Sequence, residues 1–302
     1  MTYCNGKKVL LFYNPYSGSG LFRTHLDTVI SKYQKAGLLT IPVRSASYLN
    51  ISNVLSRLES SEYDHLAVAG GDGTINLLVN AIIKNNIDLP VAIYPTGTAN
   101  DFAHHLNLPT EVGKMAEMAV EHHISTVDVG KANDRYFLNV ASLGALMDVS
   151  RKTDPNLKNT LGVVSYYLWA LPELSHMKSV DVTLTVEDTV YEEKMFFMVV
   201  MNGRAAGGFK NVAPDAEIND GLLDVLLFKP MPWYKMIPLF VSVIRGKQPK
   251  DKNIVRFQEP TVRIDSEENI TVAIDGEKDI ALPVELSVVR NRLKVLTQPM
   301  EL

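Results

Sequence analysis

The chain is predicted to hold an α/β half followed by a β-rich half: a parallel sheet wound with helices, then an antiparallel β-sandwich-like domain, with a cleft between them. Three observations carry this. Up to about residue 126, apolar runs alternate with helical patterns across short connections, which is the grammar of a parallel sheet. After His122-His123 strand-like segments dominate. Two glycine-polar loops each follow an apolar run in the first half, and in open α/β sheets ligands bind outside such strand ends.

Lys8 to Tyr13 (KVLLFY) is a continuous apolar run, suited to a strand covered on both faces. Leu21, Phe22, His25, Leu26, Val29, Ile30 and Tyr33 then recur at helical spacing, and Gly37 ends that helix. Leu39 to Val43 reads as a second strand and Asn53 to Leu58 as part of a second helix, broken at Ser60-Ser61. Leu66 to Ala69 forms the central strand. Gly70-Gly71-Asp72-Gly73-Thr74 follows as a turn, with a helix opening at Ile75. Val91 to Tyr94 is a strand closed by Pro95, and Glu111 to Glu121 a helix. In the second half, Phe137 to Ala141, Val180 to Val186, Tyr191 to Asn202, Leu222 to Phe228, Thr261 to Asp265, Ile270 to Ile274 and Val284 to Leu296 read as strands. Two helical inserts, Leu161 to Leu171 and Pro232 to Ile244, interrupt them. The domains are therefore expected at 1–126 and 127–290, with residues from about 291 to 302 as candidates to return to the first.

At 302 residues the chain is long for one core and comfortable for two domains. Hydrophobic content of 46% and charged content of 21% are ordinary for a folded soluble protein. A net charge of −4 argues against a general nucleic-acid binder. The single cysteine, Cys4, cannot form an internal disulfide, which points to a reducing cytoplasm. No signal peptide and no apolar run of about 20 residues is present, so any membrane contact is expected to be peripheral.

The GGDGT stretch combines a strand, a glycine turn and a helix N-terminus, which together make an anion cradle. Glycines permit positive φ and let a ligand approach the main chain. Asp72 makes sense among phosphate-binding amides where Mg²⁺ sits between it and a polyphosphate. A tight βα turn with an exposed aspartate also accounts for the three glycines. The second loop, Pro95 to Phe102, adds Thr98, Asn100 and Asp101, and the two loops together are more specific than either alone.

Other segments are read more plainly. Asn139 and Asn202 stand in apolar strands as core amides or as site residues. Glu217 and Asp220 in DAEINDGL suit a turn better than a hard-cation site, and Asp275-Gly276-Glu277 suits a hairpin turn better than a general base. His104-His105 and His122-His123 form no metal-ligand pattern and are expected in solvent. Arg151, Lys152 and Lys158 precede one apolar stretch, and Arg245, Lys247, Lys250, Lys252 and Arg256 follow another, WYKMIPLFVSVI. Core packing is the first reading for both, and an interfacial membrane contact the second.

Taken together and in order, NPYSGSG at 14–20, GGDGTIN at 70–76, PTGTANDFA at 95–103, NGRAAGGF at 202–209, PDAEINDGLLDV at 214–225 and DGE at 275–277 resemble the diacylglycerol kinase catalytic-domain family, in its bacterial soluble lipid-kinase branch. GGDGT alone is shared with phosphofructokinases and NAD kinases. The resemblance implies an ATP- and Mg²⁺-dependent kinase that phosphorylates a lipid hydroxyl, cytoplasmic and peripheral to the membrane where its lipid lies, with a homodimer left open. It places ATP binding at Asn14, at Gly70, Gly71, Asp72, Gly73, Thr74, Ile75 and Asn76, and at Thr98 and Asn100. Asp72 and Asp101 match carboxylates of the nucleotide–magnesium site. Glu277 matches the general base, and Glu217, Asp220 and Leu222 a structural Mg²⁺ site with carbonyl ligands at 217 and 222. Both turn readings above give way on this resemblance alone. The family's threonine after the second strand is missing; Val43 to Ser47 reads VRSAS, where Ser45 or Ser47 is the available substitute. The rival functions are a NAD-kinase-like enzyme for a soluble metabolite and a nucleotide-binding regulator without catalysis.

Overall fold

The computed structural model describes residues 6–18, 20, 22–45, 47–144, 178–209, 211–245, 247 and 250–299. The expected insert at Leu161 to Leu171 and the neighbouring Arg151, Lys152 and Lys158 lie outside them. The chain divides into two compact units, Met1–Val127 with Asn291–Leu302, and Asp128–Arg290.

The first unit holds β1 (Lys8–Tyr13), α1 (Phe22–Lys35), β2 (Leu39–Arg44), α2 (Tyr48–Leu55), β3 (Tyr63–Gly70), α3 (Asp72–Lys84), β4 (Val91–Pro95), α4 (Asp101–His105) and α5 (Val112–Glu121). Its strands run parallel in the order β2-β1-β3-β4, and Gly70 stands opposite Pro95 at the end of the β3–β4 pair. The apolar runs of β1 and β3 are buried on both faces, because helices cover the sheet. Val9, Leu11, Ala67, Ala69 and Tyr94 of the strands pack with Phe22, Val29 and Tyr33 of α1 and with Met115, Ala116 and Ala119 of α5. The small alanines in β3 let helices approach closely, and the aromatics fill the space between. β2 is the edge strand, more exposed and tolerant of Pro42. Val295, near the C-terminus, lies beside Val91 as a further parallel neighbour.

Three boundaries in this unit differ from expectation. α2 starts at Tyr48 and ends at Leu55, where Asn53 to Leu58 was expected; its turn positions Ile51 and Leu55, four apart, are the buried pair that sets its register. α3 opens at Asp72, a turn earlier than Ile75. Pro95 to Phe102 ends in a five-residue helix rather than in open loop, entered through Asn100 at φ +53°.

The second unit is a two-layer antiparallel sandwich. One sheet has the order β12-β11-β10-β7-β14-β15, with β7 (Val140–Gly144), β10 (Phe197–Met201), β11 (Leu223–Phe228), β12 (Ile254–Glu259), β14 (Thr271–Ile274) and β15 (Glu277–Ala281). The other contains β8 (Val180–Val186), β9 (Thr189–Met195) and β13 (Thr261–Asp265), with the first half of β16 (Val284–Leu296) antiparallel to β13. Leu143, Val200 and Val225 from one sheet share a core with Val182, Leu184, Val262 and Leu286 from the other. A short hairpin joins the end of β5 (Ile124–Ala132) to β6 (Arg135–Phe137).

Two expected strands are broken here. Tyr191 to Asn202 divides at Phe196, where the chain leaves one sheet for the other; β9 is a mostly exposed strand and β10 a buried one. Phe137 to Ala141 divides because the amides of Leu138, Asn139 and Val140 donate to the Asp275 carboxylate at 2.7, 2.9 and 3.0 Å. Of the expected inserts, Trp233–Ile244 is helical, with Met236 buried and Tyr234 exposed. Among the described residues, no helix is long and apolar enough to cross a membrane.

Candidate active site

At the C-terminal ends of β1, β3 and β4, three loops of the first unit meet. Gly70 closes β3 and accepts from Thr96 N at 3.0 Å. Gly71 is the extended residue before α3, with φ −86°. None of the three GGDGT glycines has positive φ, so the expected use of glycine for left-handed backbone does not apply. Space is the reason instead. A Cβ on Gly70 would lie 2.4 Å from the Thr74 Cβ, and one on Gly97 would lie 2.4 Å from the Gly71 Cα. A Cβ on Gly18, in the NPYSGSG loop, would lie 2.0 Å from the Thr96 carbonyl oxygen. The loops touch through main chain that only glycine leaves bare.

Side chains then fix the loops. Asp72 Oδ1 accepts from Phe102 N at 3.2 Å, so the carboxylate of one loop caps the short helix that follows the other. Asn100 clasps Gly97 from both sides, accepting from its N–H and donating to its carbonyl, each at 2.9 Å. Asn14 N donates to Ala69 O at 2.9 Å and Asn14 Nδ2 to Thr74 Oγ1 at 3.4 Å, tying the NPYSGSG loop to α3. Asn76 accepts from Asn80 Nδ2 at 2.9 Å. Ile75 turns into the core, and its N–H donates to Gly71 O at 3.1 Å. Thr98 is exposed, and Asp101 is buried. The Ser45 N–H donates to Tyr13 O at 2.9 Å, while its buried Oγ has no partner among the described residues. Thr96 Oγ1 is in the same state, and sequence reasoning passed over it.

These residues fit a polyphosphate with a divalent cation. The first-turn amides of α3, at Asp72, Gly73 and Thr74, have no intrahelical partner by position, and the helix dipole adds positive potential there. Glycine at 70, 71 and 97 lets the loops close on one another around that turn. Two orphaned hydroxyls await acceptors or donors, and Asp72 and Asp101 supply the carboxylates that a hard cation takes. Gly97→Ala should therefore push the loops apart. Overpacking of this kind costs about 1–3 kcal/mol, so the melting temperature should fall and binding of an ATP analogue should weaken more than tenfold. A calorimetric melt and titration check this; unchanged values would mean that the close approach is not required.

In the second unit, the expected cation residues lie in the turn before β11. Asp220 Oδ1 accepts from Leu222 N at 2.9 Å, and Gly221 N donates to Asp128 Oδ2 at 2.8 Å. Burial raises the Asp220 carboxyl, and the negative charges of Asp224, Glu217 and Asp128 raise it further. Asp224 is balanced by Arg256 at 2.7 Å and Gln258 at 3.1 Å. A carboxyl raised first by burial and further by neighbouring negative charge is a place where a cation relieves repulsion. Asp128, buried on β5, was missed because DVGKA shows nothing locally that links it to residues 93 positions later.

Asp275 and Gly276 form a two-residue hairpin turn between β14 and β15, both with positive φ, as the plain reading of the sequence expects. The same turn sets Glu277 at the start of β15; the Glu277 side chain lies outside the described residues. Asp275 is a further residue that the sequence undervalued, since its carboxylate gathers three amides of another strand entry. Asn202 sits in the core, its Nδ2 donating to Asp128 O and Leu138 O, each at 3.0 Å. His105 is buried against the expectation of solvent, because α4 packs inward.

Comparison with known proteins matches this architecture. The model for the diacylglycerol kinase catalytic domain covers residues 8–132, and that for the YegS C-terminal NAD kinase beta sandwich-like domain covers residues 139–297. A diacylglycerol kinase of Staphylococcus carnosus is 30% identical over 96% of this chain and 95% of its own. One from Bacillus subtilis is 29% identical over 92% of each. A crystal structure of a diacylglycerol kinase from Bacillus anthracis str. Sterne superposes with a TM-score of 0.76 at 25% identity, covering 97% of both chains. The strand-to-helix cradle and the sandwich are thus shared across nearly the full length, and the chain belongs to the diacylglycerol kinase family of lipid kinases.

Proposed function

We propose that this chain transfers the γ-phosphate of ATP to the hydroxyl of a diacylglycerol-like lipid, with Mg²⁺ as cofactor. The observation that carries the reading is the meeting of the GGDGT and PTGTAND loops, with Asp72 stitched to Phe102 N and bare helix amides beside it. The amides of Asp72, Gly73 and Thr74 receive the phosphate oxygens, and Asn14, Ser45, Asn76 and Thr98 line the nucleotide. Asp72 and Asp101 hold Mg²⁺, which neutralises charge on the transferring group. Glu277 orients the lipid hydroxyl and takes its proton. Asp220, with the carbonyls of Glu217 and Leu222, holds a second, structural Mg²⁺. The curated relatives named diacylglycerol kinase support the choice of lipid.

The test is incubation with γ-labelled ATP, Mg²⁺ and a panel of lipids in mixed micelles: diacylglycerol, phosphatidylglycerol, a sphingoid base and an isoprenoid alcohol, with NAD and fructose 6-phosphate as controls. Label is expected in diacylglycerol. Label confined to NAD or fructose 6-phosphate would replace the reading with a soluble-metabolite kinase, and no transfer at all would favour the regulator.

A lipid acceptor requires the enzyme to reach a membrane surface. The helix Trp233–Ile244 presents Tyr234, Lys235 and Pro238 to solvent, and the exposed Lys247, Lys250 and Lys252 follow it. Each basic residue near an anionic surface contributes about 1 kcal/mol. Changing all three lysines to glutamate should weaken sedimentation with phosphatidylglycerol vesicles at least tenfold at low salt. Unaltered sedimentation would return these residues to an ordinary solvated role.

A further inference from the structure

At the opposite end of β3 from the cradle, three potential ligands converge. Asp64 and His65 lie near the start of the strand, and His122 caps the C-terminus of α5. One carboxylate oxygen, Asp64 Oδ2, lies 2.8 Å from His65 Nδ1 and 3.1 Å from His122 Nδ1. All three ligand atoms lie within 4.8 Å of one another. We propose that Asp64, His65 and His122 bind a divalent transition-metal ion, Zn²⁺ above all, with water in the fourth position.

The geometry suits such an ion. A tetrahedral zinc with bonds of about 2.0–2.1 Å needs ligand atoms roughly 3.3 Å apart, a small opening from the present spacing. Two imidazoles and one carboxylate are a borderline donor set, which favours zinc or cobalt over magnesium. One carboxylate against a dication leaves no excess of negative charge. Lys7 is the neighbouring cation that acts on Asp64, and its Nζ is held at 2.8 Å by the Ser61 carbonyl.

The surroundings are built for orientation. His65 is fully buried, and its other nitrogen, Nε2, is 2.9 Å from the Tyr33 hydroxyl, which in turn accepts from the Tyr94 hydroxyl at 2.8 Å. Metal-bound histidines commonly hold their second nitrogen in this way, which fixes ring and tautomer. The two hydroxyls can reverse their hydrogen bonds, so Nε2 becomes the donor when Nδ1 takes a metal. The Asp64 and His122 side chains are 26% and 37% exposed, so solvent reaches the open position. His122 holds φ +60° at the C-cap of α5, a conformation uncommon outside glycine. Metal would clip the entry of β3 to the end of α5, far along the chain from each other and at the opposite end of the strand from the phosphate cradle.

The 302-residue chain, stripped with chelator and returned to millimolar Mg²⁺, should bind one equivalent of Zn²⁺ by calorimetry. Co²⁺ should give the intense visible bands of a tetrahedral site, and Zn²⁺ should raise the melting temperature by several degrees. Asp64→Ala and His122→Ala, both at partly exposed positions, should each abolish the Co²⁺ bands and the thermal shift. His123→Ala, at the exposed neighbouring position, should retain both. Absence of binding by the unaltered protein would overturn the proposal. So would Co²⁺ bands that persist in folded His122→Ala.

Discussion

Asp72→Asn should lower kcat/KM by roughly a thousandfold, the scale of removing a charge-stabilising group from a transition state, while leaving the melting temperature almost unchanged. Asparagine keeps a carbonyl oxygen where Asp72 Oδ1 accepts from Phe102 N, so the link between the two loops survives. What disappears is the negative charge proposed to hold Mg²⁺. A simpler role for Asp72 exists, since an aspartate in the first turn of α3 complements the helix dipole. That role is worth about 0.3–1 kcal/mol of stability and nothing in turnover. The two roles separate cleanly: loss of activity with an intact melt supports the metal role, and activity within tenfold of the unaltered enzyme rejects it. Asp72→Ala should lose both activity and some stability, because the amide of Phe102 then loses its acceptor.

Glu277→Gln should reduce kcat by about 10²–10⁴, the range for a lost general base, with ATP affinity changed little. Asp275 and Gly276 hold left-handed φ values of +49° and +76°, and the Asp275 carboxylate grips the amides of Leu138, Asn139 and Val140. Glu277 therefore follows a turn tied to a neighbouring strand entry, which suits the general-base role proposed for it. Glutamine preserves size and removes basicity, so the acid limb of the pH–rate profile should vanish with the rate. A variant within a few fold of the parent, with its acid limb intact, would assign the proton to another group.

The layered architecture was readable because its signals are short-range. VLLFY and LAVAG are apolar on every position, as strands covered on both faces must be, and both became buried parallel strands. The alternation of Val180 to Val186 likewise became β8, with its odd and even faces differing in burial. Misreadings fell where distant groups decide local structure. Nothing within Phe137 to Ala141 reveals that Asp275 will claim its amides, so an unbroken strand was expected. The apolar run ending at Asn202 carries no mark of the switch between sheets at Phe196, since both sides of that point favour β structure. The glycine motif was located correctly, but left-handed torsions are not why glycine stands there: crowding from Thr74 at Gly70 and from Gly71 at Gly97 requires it. The Asp64, His65 and His122 cluster was invisible for the same reason: the two histidines that a single carboxylate oxygen joins are 57 positions apart.

The central claim is that phosphates rest on the opening turn of α3 with a cation at Asp72. A crystal structure with a non-hydrolysable ATP analogue and Mn²⁺ tests it most directly, through the anomalous signal of the metal. The account predicts a manganese peak in coordination range of the Asp72 carboxylate and phosphate oxygens on the amides of Asp72, Gly73 and Thr74. Nucleotide bound elsewhere, or manganese remote from Asp72, would contradict it.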